Sequence, residues 1–401
     1  LNSKIFSLPK VESIEIPFPD KELMKLFIKQ RISEMPIPVL YEGKTDAAEA
    51  FAKDATGLSL RVLDDLITAA QRDPKGLSLD RQTITAEINK RYGLELREMV
   101  NIIRPNHTID DLIGRRLIAR LKFFADEIID DPEKSPAGAV FVGPNGTGKT
   151  YVAEAFGVYT NRAFISLGAG IRSKWYGEQG IFLEKIERIV AAYEKTIIFV
   201  DEADAKFGIM HKSETYEAEK QFSSKIIEII GNPKYRGKIL WILATTRPDL
   251  LEPDFIRPGR CSLFVPICDP EEEEDRQAFF GRMLTKIGKA SISLTREEQD
   301  VLRAKSVKEG EEFATADYGK FVEDLIFEKG FHEIVLREGF DFKDFCAQWR
   351  PAALRIGRER KLQLLQAALL ADWRELLPRA YRRKSDSEIK KEIEAMKFAM
   401  D

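Results

Sequence analysis

Residues 143–150, Gly-Pro-Asn-Gly-Thr-Gly-Lys-Thr, decide the fold because they form a complete phosphate-binding loop, G-x-x-x-x-G-K-[ST]. An apolar run, Ala139–Val142, precedes the loop and predicts a buried strand. The residues from Tyr151 onward predict the start of a helix. Glycines let the backbone curl so that its N–H groups point at phosphate oxygens, and the helix N-terminus adds a favourable dipole. This strand–loop–helix setting predicts a nucleotide phosphate site.

Two side chains of the loop carry chemistry. Lys149 is placed to reach the β- and γ-phosphates, and the Thr150 hydroxyl is placed to hold Mg²⁺. The predicted nucleotide-binding residues of this segment are Gly143, Pro144, Asn145, Gly146, Thr147, Gly148, Lys149, Thr150 and Tyr151.

The segment around the loop alternates apolar strand patterns with helical ones. This alternation predicts an α/β domain with a mostly parallel, five-stranded sheet and helices on both faces. The predicted strands are 139–142, 163–167, 195–200, 239–244 and 262–267. Ligands of such sheets bind beyond the carboxyl ends of the strands, where the loop at Gly143 lies.

A second pair of candidate residues ends the apolar run Thr196–Val200. Asp201 and Glu202 follow this predicted strand directly. Asp201 is placed to hold Mg²⁺, and Glu202 to polarise the water that attacks the γ-phosphate. The alternative is a solvated acidic cap of the strand, and the upstream phosphate loop favours the functional interpretation.

Helical patterns flank the α/β segment on both sides. After Asp269-Pro270 the strand patterns stop, and residues 271–400 predict helices. One of them has Leu362, Leu365, Leu369 and Leu376 on one face, which indicates either a core-facing helix or a contact with a partner.

The first hundred residues predict helices after a short apolar strand, Val11–Phe18, and weakly echo the later helical region at an offset of about 250 residues. We therefore expect residues 1–104 to resemble the helical lid of an earlier copy, truncated or degenerate. An unrelated helical domain is the alternative. The domain prediction continues with a nucleotide-binding domain at 105–268 and a helical lid with a C-terminal extension at 269–401.

Composition excludes several classes. The formal net charge of −3 gives no global basic signal for nucleic acid or an anionic membrane. The three cysteines show no metal-ligand spacing, and the three histidines lie far apart in sequence, so no zinc site is expected. No apolar run approaches the roughly 18 residues that span a bilayer, and no signal peptide is visible. These features predict a cytoplasmic protein, and Leu1 in place of an initiator Met indicates a fragment or a trimmed chain.

Together these motifs resemble the AAA+ ATPases, within the AAA clade, over roughly residues 105–330 and more loosely over 1–100. Asp110–Gly114 resembles the Asp-Asp-Ile-Gly-Gly segment that packs near adenine in that family, and departs from it at Arg115. The resemblance implies adenine contacts by Asp111 and Ile113. It also implies ATP and Mg²⁺ as cofactors.

Two further segments resemble catalytic motifs of the family. Ala244–Asp249 resembles the sensor-1 strand end, with Thr246 where the family usually has asparagine; its hydroxyl can still bond the attacking water or the γ-phosphate, with shorter reach. Arg257 and Arg260 match the arginine-finger motif, in which both arginines approach the γ-phosphate held by the neighbouring subunit. A surface turn is the alternative for this motif. The sensor-2 arginine stays open among Arg355, Arg358 and Arg360.

The segment Arg172–Glu178 points to a substrate. It resembles pore loop 1 of protein-remodelling AAA proteins such as spastin and katanin. The implied pore-loop residues are Lys174, Trp175, Tyr176 and Gly177. The aromatic pair has two other interpretations, burial in a core or stacking on single-stranded bases.

The resemblance implies a ring, most simply a homo-hexamer, that hydrolyses ATP to remodel, unfold or disassemble a protein substrate with or without an adaptor. Two alternatives remain at this point. One is a nucleic-acid-remodelling or loader ATPase, and the other is a nucleotide-gated assembly ATPase with slow turnover, which Thr246 makes plausible.

Overall fold

The computed structural model describes residues 19, 21–36, 40–41, 43, 47–55, 58, 60–71, 78–79, 83–84, 100–103, 105, 107–168, 195–208, 216–290, 292–309, 314–351 and 357–398. The described residues divide into two compact units, whose sequence boundary falls between Ile102 and Ile103. Each is described by itself. In the described ranges, no helix has the length and apolar character needed to cross a membrane.

The N-terminal unit is built from helices and a small sheet. Its helices are Lys21–Ser33, Ala48–Ala55 and Leu60–Gln71. Two short strands, β1 (Leu40–Tyr41) and β2 (Ser78–Leu79), pair in parallel. Tyr41 stacks on Phe51 with ring centroids 4.8 Å apart and donates a hydrogen bond of 2.5 Å to Asp54. The predicted strand Val11–Phe18 lies outside the described residues.

The second unit is centred on a sheet. The short strand β3 (Val100–Ile103) spans the sequence boundary between the two units. The strands of the second unit are β4 (Gly138–Val142), β5 (Ala163–Leu167), β6 (Thr196–Val200), β7 (Ile239–Thr245) and β8 (Cys261–Pro266), in the spatial order β5-β6-β7-β4-β8. The five strands β4–β8 pair in parallel and match the five predicted strands within one residue at each end. The sequence patterns did not indicate the short strand β3.

The strand register positions the site. Val142 at the end of β4 pairs with Thr245 of β7 and with Pro266 of β8, and Val200 at the end of β6 pairs with Leu243. The segments that follow β4, β6 and β7 therefore emerge at one edge of the sheet. These are the segments that begin at Gly143, Asp201 and Thr246, as expected for a parallel α/β sheet.

Apolar strands and helices form the core of this unit. Every residue of β4, β6 and β7 is buried, because helices cover both faces of the sheet. The helices nearest the site are Arg115–Glu127, Lys149–Tyr159 and Ala203–Phe207. The remaining helices of the sheet region are Tyr216–Gly231 and Pro253–Ile256, with 3₁₀ turns at Ile109–Asp111, Pro233–Tyr235 and Pro248–Leu250.

The residues after β8 are helical, as predicted. The first helices of this region are Glu273–Lys289, Arg296–Glu309, Thr315–Gly330 and Phe342–Gln348, with a π-helical turn at Phe331–Leu336. They pack around Tyr318, Phe321 and Leu325. The C-terminal extension follows with helices Gly357–Leu370, Arg379–Arg382 and Asp386–Phe398 and a 3₁₀ turn at Arg374–Leu376.

One predicted helical face needs correction. Leu362 and Leu365 do lie on one buried face of the extension helix, Gly357–Leu370. Leu376 does not belong to that helix and instead packs against the core of the sheet region. The helix ends because Asp372 pairs with the backbone of Phe264: the two residues exchange hydrogen bonds of 2.6 and 3.0 Å, which draw the chain onto the edge strand β8.

Candidate active site

The phosphate-binding loop has the curled backbone that its glycines predict. Gly143, Gly146 and Gly148 have φ angles of +154°, +78° and +87°, a region that side chains with a Cβ rarely adopt. A Cβ at Gly143 would overlap the carbonyl oxygen of Ile267. The loop therefore needs glycine for both its backbone angles and its close approach to the chain after β8.

Lys149 begins the helix after the loop and is buried against it. Its Nζ donates hydrogen bonds of 2.9 Å to the carbonyl oxygens of Gly143 and Pro144. The pKa of Lys149 is lowered to about 8, mainly by burial and also by the nearby Arg360 guanidinium, while the Asp201 carboxylate opposes the shift. A buried ammonium with this low pKa gains from any anion that replaces its lost hydration.

Thr150 and Asp201 meet as the sequence predicted for a metal site. The Thr150 hydroxyl donates a hydrogen bond of 2.9 Å to Asp201 Oδ2. Asp201 Oδ1 accepts the backbone N–H of Glu202 at 3.0 Å. Because the Thr150 proton points at Asp201, the hydroxyl lone pairs stay available to a cation, and oxygen donors of this kind suit Mg²⁺.

Glu202 stands in an unusual backbone conformation. Its φ of +48° and ψ of +51° place a residue with a side chain in the left-handed region, at the N-terminus of helix Ala203–Phe207. Such conformations cost about 1–3 kcal/mol and gather at functional sites. The Lys206 ammonium stabilises this turn by donating hydrogen bonds to the carbonyl oxygens of Asp201 at 2.8 Å and Leu167 at 3.0 Å. Its burial lowers the pKa of Lys206.

A cavity of about 1730 Å³ lies beside these groups, and most of the predicted site residues line it. Its lining includes Ile113, the loop residues Asn145 to Tyr151, Asp201, Glu202 and Thr246. Beside Thr246, the buried Thr245 donates a hydrogen bond of 2.5 Å to Asp204, which fixes the end of β7 against the turn after β6. This side-chain link between the two strand ends carries no motif signal and was missed from the sequence.

Asp111 has a local role in the structure. Its carboxylate accepts the Thr108 N–H at 2.6 Å and the Thr108 hydroxyl at 3.1 Å, so that it caps its own 3₁₀ turn. The backbone hydrogen bond from Thr108 is the largest cause that lowers the pKa of Asp111. Of the two predicted adenine contacts, Ile113 lines the cavity and Asp111 supports the turn that precedes it.

Tyr151, the last residue of the predicted loop segment, forms an aromatic pair. Its ring stacks on His107 with centroids 3.8 Å apart and planes within 3° of parallel. His107 Nε2 lies 3.0 Å from the Tyr151 carbonyl oxygen and 3.6 Å from a Glu154 carboxylate oxygen. The pair fixes the Tyr151 ring at the cavity wall, and His107 is a supporting residue that no sequence motif indicated.

The two predicted arginine fingers lie elsewhere. Arg257 forms an ion pair of 3.0 Å with Asp254, and Arg260 approaches the same carboxylate at 3.6 Å and donates to the Asp254 carbonyl. Burial lowers the pKa of Arg260. Among the described residues that line the cavity, neither arginine is present. The structure therefore does not bring them to the phosphate loop of their own chain.

Side chains of the extension helix form hydrogen bonds with the phosphate-binding loop. Gln363 Oε1 accepts the Asn145 N–H at 3.1 Å, and Arg360 donates to the Asn145 carbonyl oxygen. Arg360 also pairs with Asp269, which accepts the Thr315 N–H at 2.9 Å at the start of helix Thr315–Gly330. Of the three candidate sensor-2 arginines, Arg360 lies at the loop, Arg358 is exposed, and Arg355 is outside the described residues.

The predicted pore-loop residues Lys174, Trp175, Tyr176 and Gly177 lie outside the described residues. Their role stays a prediction.

Comparison with known proteins gives a family. Residues 139–268 match the family described as "ATPase family associated with various cellular activities (AAA)". The chain thus carries an AAA ATPase domain, and its α/β fold with a helical C-terminal region is that of the AAA+ ATPases.

Three similar curated proteins are archaeal. Protein SAV of Sulfolobus acidocaldarius is 26% identical over 65% of this chain and 36% of its own length. The Cell division cycle protein 48 homolog of Archaeoglobus fulgidus is 30% identical over 52% of this chain and 29% of its own length. The proteasome-activating nucleotidase of Methanocaldococcus jannaschii is 28% identical over 61% of each chain. The chain therefore spans less than two thirds of each of these relatives.

Proposed function

We propose that this chain is an ATP-hydrolysing ring motor that remodels protein substrates. The observation that carries the proposal is the meeting of Lys149, the Thr150–Asp201 hydrogen bond and Glu202 in one cavity. The names of two relatives, a proteasome-activating nucleotidase and a Cell division cycle protein 48 homolog, support a nucleotide-driven machine that serves other proteins.

The residues present fit ATP and Mg²⁺. The loop can curl around a phosphate because Gly143 has no Cβ to overlap the Ile267 carbonyl oxygen, and Lys149 supplies the positive charge. Thr150 and Asp201 would hold Mg²⁺, with oxygen donors of the type that this ion prefers. Bound there, Mg²⁺ would neutralise charge that develops on the phosphates. Ile113 and Tyr151 line the wall on which an adenine ring would rest.

The roles in hydrolysis follow from position and chemistry. Glu202 accepts the proton of the attacking water, and its left-handed backbone turn presents the carboxylate to the cavity. Thr246 orients the same water through its hydroxyl, with a reach shorter than that of the usual asparagine. Turnover is therefore expected to be slow without a partner or substrate.

Glu202→Gln tests this assignment. The variant keeps the size and hydrogen-bonding of the side chain but loses the basic group, so it is expected to bind ATP with unchanged affinity and to lose about 10²-fold or more of the hydrolysis rate. Affinity is measured with a fluorescent ATP analogue and hydrolysis by phosphate release. Hydrolysis at the wild-type rate would remove the role given to Glu202.

The position of the arginines supports a ring. Arg257 and Arg260 lie outside the described lining of their own cavity, beside Asp254. A guanidinium supplied by a neighbour contributes on the order of 10³–10⁵ in rate in related phosphoryl-transfer systems. We therefore place the complete site between subunits of a homo-oligomer, most simply a hexamer.

The substrate proposal depends on Trp175 and Tyr176. Exposed aromatics on a loop grip an extended chain through apolar contacts without sequence preference. Trp175→Ala is expected to remove the stimulation of ATP hydrolysis by an unfolded protein while the basal rate stays unchanged, and Trp175→Phe is expected to retain much of it. Stimulation by single-stranded DNA or RNA that Trp175→Ala removes would instead favour a nucleic-acid-remodelling ATPase.

A further inference from the structure

The extension helix holds one residue of the phosphate loop at both of its backbone groups. Gln363 accepts the N–H of Asn145 at 3.1 Å, and Arg360 donates to the carbonyl oxygen of the same residue. The two side chains are three positions apart, so they project from one face of the helix one turn apart. Gln363 is 2% exposed, and its Nε2 donates a hydrogen bond of 3.2 Å to Glu359, so both ends of its amide have a partner.

The helix that supplies these groups lies beyond residues 139–268, the part of the chain that matches the family model. It is anchored independently of the loop. Leu362 and Leu365 are buried against residues of the last helix, such as Ile389 and Ile393. The segment that follows the helix is fixed to strand β8 through Asp372. The loop is therefore held by an element with its own core.

Arg360 has a second partner that fixes its direction. Asp269 pairs with the guanidinium and accepts the backbone N–H of Thr315 at 2.9 Å. A planar guanidinium can bridge a carboxylate and a carbonyl at fixed geometry, which an ammonium cannot do equally well. Arg360 is thus oriented by Asp269 and presents its other nitrogen to Asn145.

We propose that Arg360 and Gln363 are positioning residues that hold the phosphate loop ready for nucleotide through Asn145. This inference rests on the proposed function, because it concerns the same nucleotide site. The loop contains three glycines with positive φ, and glycine gives up the most conformational freedom when it is ordered. The two contacts fix Asn145, which lies between Gly143 and Gly146. They therefore reduce the conformational entropy that the loop loses when nucleotide binds.

The experiment measures binding of ADP and ATP separately, without hydrolysis. Fluorescent ADP and, in the Glu202→Gln background, fluorescent ATP are titrated into the whole chain and into its Arg360→Gln and Gln363→Leu variants. Each variant is expected to weaken both nucleotides about tenfold, the loss of one net hydrogen bond of about 1.4 kcal/mol. Arg358→Gln, an exposed arginine on the same helix, is the matched control and should leave both affinities unchanged.

Two additional variants separate positioning from a general structural effect. Arg360→Lys keeps the charge but not the planar bridge, and it is expected to lose less affinity than Arg360→Gln. The double variant Arg360→Gln/Gln363→Leu should lose less than the product of the single losses, because both side chains act on one residue. Thermal unfolding of every variant shows whether the protein stays folded, and Gln363→Leu alone carries the test if Arg360→Gln does not fold.

The outcomes are distinct. Affinities within about twofold of wild type for both single variants would overturn the proposal. A loss confined to ATP would also overturn it, because Arg360 would then act on the terminal phosphate and not on the loop. A protein that binds nucleotide but does not hydrolyse it under any condition contradicts the proposed function alone, and the ADP affinities still decide the positioning role.

Discussion

At the scale of single residues, Lys149 shows how burial prepares a group for its ligand. Its ammonium is surrounded by the loop carbonyls, and its pKa is lowered from 10.5 to about 8. Between these two values the unfolded chain binds a proton that the folded chain has released. The free energy of unfolding therefore increases as pH rises through that window. The destabilisation caused by burying the charged ammonium is fully present below about pH 8.

Nucleotide should reverse this shift. Phosphate oxygens beside Lys149 favour the charged form, so we expect binding of ADP at about pH 8.5 to be accompanied by uptake of about half a proton or more. The affinity should correspondingly fall as pH rises above about 8. Calorimetry in buffers of different ionisation enthalpy measures the uptake. Lys149→Met, which has no proton to take up, is the control, and equal uptake by this variant would contradict the assignment.

Some contacts of single residues in the site could be predicted from the sequence, and others could not. The Thr150–Asp201 contact follows from two motifs, because parallel strands end at one edge of the sheet. Gln363 and Asp269 could not be predicted, since helical spacing tells which side chains share a face but not which loop that face meets. Arg360 was one of three open candidates, and only the packing of its helix distinguishes it from Arg358.

At the scale of elements, the core strands were predictable because they are continuous apolar runs bounded by polar residues. The extension helix was predicted too long because the leucine spacing continues past its end. The helix ends at Leu370, and Asp372 pairs with the backbone of Phe264 instead. A contact between segments distant in sequence overrides local periodicity there. The predicted lid-like character of residues 1–104 stays a prediction.

The first residue of strand β4, Gly138, lies where the packing admits only glycine. A Cβ at Gly138 would lie 2.7 Å from the Trp241 carbonyl oxygen and would overlap Cys261 Sγ, so the two neighbouring strands leave no space for a side chain. Gly138→Ala is expected to lower the free energy of unfolding by about 1–3 kcal/mol, as overpacking does.

Gly281→Ala is the matched control for this change. Gly281 lies within helix Glu273–Lys289, and a Cβ there would meet no atom within 4 Å. Alanine should stabilise the protein by about 0.5–1 kcal/mol, because it restricts the unfolded chain and favours the helix. Denaturant unfolding measures both variants. Equal stability of the two would contradict the packing described for β4.

At the scale of the whole molecule, the proposed ATP site is one that a single chain does not complete. The cavity is lined by residues of the phosphate-binding loop, the proposed metal ligands and Glu202, whereas Arg257 and Arg260 belong to a different part of the surface. The sequence predicted this division only through family resemblance. The pattern of an Arg-Pro-Gly-Arg segment does not by itself say whose phosphate it serves.

The most direct test mixes two inactive variants. Glu202→Gln lacks the base but keeps the arginines, and Arg257→Ala/Arg260→Ala lacks the arginines but keeps the base. If sites are shared between neighbours, an equal mixture rebuilds complete sites at roughly a quarter of the interfaces, and ATP hydrolysis should recover to a corresponding fraction of the wild-type rate. A mixture as inactive as its two components, although shown to co-assemble, would contradict the shared site.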